Sequence, residues 1–181
     1  MPAGRRPLDP STASRWTTSG MRTPTPTDPR KHLVLRFTHD LAAAPDAIFP
    51  LLCPVREYEW IHDWRCELVH TASGLVEPGC VFVTDRPPEG RTLWVTSRHE
   101  PAERRVEFVR VTGDHLVTLM ALAVEPAGRG ARLHIGYTLV ALDAVGQAAV
   151  DRARETGLPY AEVARTLAAR LDHFLATGRM L

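Results

Sequence analysis

Over residues 33–39 the chain alternates Leu33, Leu35 and Phe37 with Val34, Arg36 and Thr38, the period-2 pattern of a strand with one buried face. The pattern then changes. In AAAPDAIFPLLCPV, Pro45 suits the first position of a helix, where its missing N–H costs nothing, and Asp46 favours the helix dipole. Ile48, Leu51 and Leu52 recur at i, i+3 and i+4. Pro50 removes an internal hydrogen bond and Pro54 stops the run, so the helix is short. A second short helical turn is expected over 57–61. From Trp64 the alternation returns as a ladder of six segments: WRCELVHTAS, CVFVTD, RTLWVTSRHE, RVEFVRVT, HLVTLMALAVEP and ARLHIGYTLVAL. Between them stand EPG at 77–79, RPPEG at 86–90, PAER at 101–104, Gly113-Asp114 as a two-residue hairpin loop, and AGRG at 127–130. Strands joined by such short links must pair antiparallel, because a parallel pair needs a crossover of roughly a dozen residues or more.

The chain ends in helical periodicity. AVGQAAVDRARET forms one helix, with Gly157 just past its end and Pro159 opening the next. In that last helix Tyr160, Ala164, Leu167, Leu171 and Phe174 make one apolar stripe, and Gly178 supplies the stop. A seven-stranded sheet with one apolar face needs a cover, and only the C-terminal helix is long enough to supply it. The fold class is therefore α+β: a curved antiparallel sheet wrapped on a long C-terminal helix, with one or two short helices after strand one. A twisted sheet does not close tightly on a single helix everywhere, so a cavity is expected where they splay apart.

Residues 1–31 differ in kind. They are rich in Pro, Ser, Thr and Arg, show no apolar period, and read as a disordered tail before a domain at 32–181. Arg5-Arg6 is followed by no apolar stretch of a signal peptide, and Met21 offers an alternative start. The balance of 22 basic and 21 acidic residues, with no Lys/Arg run, argues against nucleic acid as a partner. No apolar run approaches the ~20 residues of a membrane span. Three cysteines without close pairs, Cys53, Cys66 and Cys80, make a poor disulfide framework and suit a reducing cytoplasm.

The order of elements, with IFPLLCPVREYEWIHDWRCELV, GCVFVTD and the ending LDHFLATGRML, resembles the START-like (SRPBCC) superfamily with its Bet v 1-like helix-grip fold. The likeness runs from Leu33 to Leu181 and is carried by fold-level features rather than catalytic motifs. It implies a cavity between sheet and long helix that holds lipids, polyketides or other apolar molecules, in proteins that include carriers and cyclases. Fold alone does not decide between these.

The densest chemistry is EYEWIHDWRCE at 57–67. Tyr58, Trp60 and Trp64 fall where the resemblance puts one end of the cavity, and an indole offers a broad apolar face plus one N–H. Trp60 is expected on the cavity wall; Trp64 fits either the wall or the core. His62, Asp63 and Cys66 lack the spacing of a metal site, and no metal or other cofactor is expected. On the strands, Phe82, Thr84, Trp94, Thr96, Phe108 and Arg110 are candidates for the concave face, opposite a valine-rich face of Val81, Val83, Val95, Val109 and Val111. That second apolar face suggests burial in a homodimer or under the tail, or simply the β-propensity of valine. A one-residue slip would reverse the two sets. Met120 and Tyr137 on later strands, and Leu167, Leu171 and Phe174 on the last helix, complete the expected ligand-binding set. His99, Glu107 and His115 form no recognisable triad with other residues, and no catalytic residue is assigned. The expectation is a binding protein for a small apolar molecule, with a polyketide cyclase or aromatase-type enzyme as the alternative.

Overall fold

The computed structural model describes residues 28–86 and 90–181. The chain runs β1 (His32–Leu41), α1 (Pro45–Ile48), two short 3-10 turns (Phe49–Leu52 and Arg56–Glu59), β2 (Glu67–His70), β3 (Val81–Arg86), β4 (Gly90–Glu100), β5 (Arg105–Thr112), β6 (Leu116–Ala127), β7 (Gly130–Ala141), α2 (Ala144–Thr156) and α3 (Tyr160–Thr177). The strands form one antiparallel sheet in the order β1-β7-β6-β5-β4-β3-β2. Each strand from β2 to β7 lies beside the next in sequence, as short links require, and β1 returns to pair with β7. This is the helix-grip fold. Among the described residues no helix is long and apolar enough to cross a membrane.

Two local expectations are corrected. Strand β2 begins at Glu67 rather than Trp64, because the Trp64 backbone N–H is held in a turn by the Ile61 carbonyl at 3.2 Å. The β5–β6 loop has three residues, 113–115, since Thr112 pairs with Leu116. The break before the last helix falls as Gly157 predicted: its φ of 72° ends α2 in the left-handed conformation that glycine tolerates best. Asp143 caps the start of α2 by accepting from the Val145 and Gly146 N–H groups. The expected tail lies, for residues 1–27, outside the described residues. Pro29–Lys31 form a 3-10 turn whose Arg30 carbonyl accepts from Arg154 at 2.6 Å and Gln147 at 3.0 Å of α2.

Register fixes the faces. Phe82, Trp94, Arg110, Thr118, Leu139 and Leu33 lie in one row across six strands. The neighbouring row holds Thr96, Phe108, Met120, Tyr137 and Leu35. These residues share the face packed against the helices, where Phe82, Phe108, Tyr137 and Leu139 are buried with Leu171 and Ala164 of α3. An extra residue, Ser97, re-phases β4 so that His99 rather than Arg98 returns to that face, where it stacks on Phe49. Helix α3 packs chiefly on β1, β7 and α1, so it covers one side of the sheet more than the β3–β5 side.

Candidate ligand site on the concave face

The aromatic cluster at 57–67 belongs to the scaffold. Trp60 is 0% exposed and donates its indole N–H to the Leu51 carbonyl at 3.0 Å. Trp64 is buried too and donates to the Pro54 carbonyl at 2.8 Å. Both acceptors belong to the proline-broken helical stretch, whose last carbonyls have no intrahelical donors. Tyr58 is 40% exposed, and its hydroxyl donates to the Cys66 carbonyl and accepts from the Cys66 N–H, both at 2.8 Å, pinning the chain into β2. The cavity-wall expectation for Trp60 is thus corrected and Trp64 is enclosed as well, while Tyr58 keeps part of its ring exposed; all three spend their polar atoms on local backbone.

The aromatic residues of the strands do come together. Phe82 and Trp94 stack at 5.4 Å with planes 10° apart, and Phe108 meets them edge-on at 6.1 and 6.2 Å. The Arg110 guanidinium sits 5.3 Å from the Trp94 ring centroid, a cation–π arrangement. Trp94 donates its N–H to Thr84 Oγ1 at 3.0 Å and remains half-buried, as does Arg110. Below this cluster Thr92 and Thr112 approach at 3.4 Å, so the β3–β5 part of the concave face carries hydroxyls beside aromatic rings. Towards β7, Tyr137 packs against Tyr160 of α3 at 4.9 Å and Phe37 at 6.2 Å. Leu171 is fully buried, while Leu167, Phe174 and Met120 are half-buried at the edge of the core.

Two carboxyl groups, Asp63 and Glu57, lie within reach of the Arg86 charge at the end of β3. Asp63 accepts from Arg170 of α3 at 2.9 Å and from Arg86 of β3 at 2.8 Å, tying the helix to the strand it otherwise stands away from. Both arginines hold its carboxyl below the usual carboxylate range against the opposing effect of burial. Glu57 is the group that sequence reading missed. It is half-buried, and desolvation raises its carboxyl to about 8 although Arg86 pulls the other way. Such a group holds its proton at neutral pH and can donate it.

The other polar candidates are structural. Glu107 lies on the opposite face from Arg110 and pairs with Arg98 at 3.3 Å. His115 pairs with Asp143 at 2.6 Å. Burial lowers the His99 pKa. Among the described residues no three His, Cys, Asp or Glu side chains gather as a metal site, and Cys53, Cys66 and Cys80 are unbridged thiols. Two depressions lie elsewhere: one of about 330 Å³ between the Pro29–Lys31 turn and the start of α2, and one of about 280 Å³ on the convex face.

No family model matches this chain, and no curated protein matches it. Solved structures do. Ara h 8.0201 superposes with a TM-score of 0.61 at 13% identity, covering 81% of this chain and 99% of its own. Norcoclaurine synthase from Thalictrum flavum, in complex with dopamine and hydroxybenzaldehyde, gives 0.60 at 13% identity over 88% of this chain and 98% of that one. DynU16, from the dynemicin biosynthetic locus, gives 0.52 at 17% identity over 81% of this chain and 48% of that one. These likenesses place the chain in the Bet v 1-like, START-like fold.

Proposed function

We propose that the chain binds a small, mainly apolar molecule on the concave face, beside Trp94, with a carbonyl or anionic group directed at Arg110. The observation that carries this is the half-buried Trp94 indole with the Arg110 guanidinium 5.3 Å from its centroid, on the sheet face turned towards α3. Rings supply apolar area worth ~25 cal/mol per Å² removed from water, and one or two polar groups fix orientation. Support by analogy comes from the structurally similar norcoclaurine synthase, solved with two small aromatic molecules. The three unbridged thiols fit a reducing cytoplasm. Native mass spectrometry of the full chain purified from its host tests the proposal, followed by calorimetric titration of the co-purifying molecule. Trp94→Ala should weaken binding by about tenfold or more and Trp60→Ala should act only through stability; equal affinities in Trp94→Ala and the parent would refute the site.

A second reading, a polyketide cyclase or aromatase-type enzyme, is favoured by Glu57. A carboxyl raised to about 8 can donate a proton to a carbonyl oxygen as a new ring closes. On this reading Glu57→Gln abolishes turnover of a poly-β-ketone thioester while leaving its binding intact. Unchanged turnover would eliminate Glu57 as the acid.

A further inference from the structure

The convex face of the sheet carries two adjoining, mainly apolar rows, broken by Thr138. Register places Val34, Thr138, Leu119, Val109, Val95 and Val81 in one row from β1 to β3. The row beside it holds His32, Val140, Val117, Val111, Leu93 and Val83. Leu119 is 46% exposed, Leu93 41% and Val34 38%, most of the valines are half-buried, and Val83 at the β3 end is buried. Antiparallel sheets with one solvated face ordinarily alternate apolar-in and polar-out, and these two rows depart from that while Arg36, Thr38, Asp40, Arg132 and Glu107 on the same face follow it. On the other flank the row Arg36, Gly136, Ala121 and Glu107 forms the floor and rims of the 280 Å³ depression, with Leu119 on its border. A hollow exists there because residues 121 and 136 have almost no side chain.

We infer that this face is a homodimer interface, in which Leu119 of each copy fills the hollow over Ala121 and Gly136 of the other. Three observations select a second copy of the chain. Knob and hollow sit two residues apart on β6, so a two-fold axis between them exchanges one for the other, as an isologous contact demands. Six strands spaced ~4.8 Å and about nine residues long present roughly 700 Å², close to the ~800 Å² per partner of a standard interface. The other occupant within the chain, residues 1–27, has only Met1, Leu8, Trp16 and Met21 as large apolar side chains, too few to cover the band.

Sedimentation velocity of the full chain at about 50 μM tests this. The expected species is a dimer of about 40 kDa, twice the 20.1 kDa chain. Leu119→Glu should shift it to monomer. Gly136→Val should do the same by filling the hollow, and it is tolerated by the monomer because a Cβ there meets Ala121 only at 3.8 Å. A parent chain that stays monomeric overturns the inference, as does a dimer that survives both Leu119→Glu and Gly136→Val with circular dichroism unchanged. None of these outcomes depends on whether the concave face binds a ligand.

Discussion

Replacing Glu57 by Gln is expected to stabilise the protein near neutral pH and to remove most of its stability loss between pH 5 and 8. In the folded chain the carboxyl titrates at about 8, against an ordinary value of 4.5. Between those values the folded state keeps a proton that the unfolded state has released, so stability falls as pH rises. Below 4.5 both states are protonated and nothing is lost; above 8 both are ionised and the full penalty applies. Each pH unit in the window is ~1.4 kcal/mol, so at pH 7 the ceiling is about 3.4 kcal/mol. Water reaching the half-buried side chain reduces this, and about 2 kcal/mol is the expected gain of Glu57→Gln at pH 7, with almost none at pH 5. Urea unfolding of both proteins at half-unit intervals from pH 5 to 8.5 measures the difference directly. Parallel stability curves would refute the desolvated position of Glu57 and, with it, its candidacy as a proton donor.

Three further outcomes follow from the packing. Trp60→Ala should cost about 3–5 kcal/mol in chemical denaturation, since it empties a fully enclosed indole site and strands the Leu51 carbonyl. Gly146→Ala should lower the melting temperature by several degrees, because a Cβ there would lie 1.9 Å from the His115 carbonyl oxygen, where helix α2 meets the start of β6. Asp63→Asn should change stability by no more than about 1 kcal/mol, as exposed ion pairs contribute little, yet speed amide exchange in α3 by releasing Arg170 from Arg86.

How far the sequence reached depended on whether a feature was periodic or local. The sheet was readable because short links leave antiparallel pairing as the only option, and the α2–α3 break because Gly157 and Pro159 admit few conformations. The shared face of Phe82, Trp94, Phe108 and Arg110 was readable as a pattern, although its register required the pairing itself. The tryptophan cluster misled for a physical reason: aromatic density says nothing about where an indole N–H goes. Here Trp60 and Trp64 reach back nine and ten residues to carbonyls of a helix broken by prolines. Glu57 was missed because a lone glutamate in a short turn reads as solvated. Its signal was nevertheless present, since Glu57, Trp60, Ile61 and Trp64 follow i, i+3, i+4, i+7, and the last three are all buried. The valine rows were visible from the outset, but only cross-strand register showed how they line up from β1 to β3 and that a hollow adjoins them.

The central claim is that the concave face at Trp94, and not the tryptophan cluster at 57–67, receives an apolar ligand. Indole N–H resonances in a ¹H–¹⁵N correlation spectrum separate these sites, once assigned by single Trp→Phe variants. Titration with 8-anilinonaphthalene-1-sulfonate and with 4-hydroxybenzaldehyde should move the Trp94 resonance progressively and leave those of Trp60 and Trp64 in place. Movement of Trp60 or Trp64 with Trp94 unchanged, or no movement in any of them, would contradict the account.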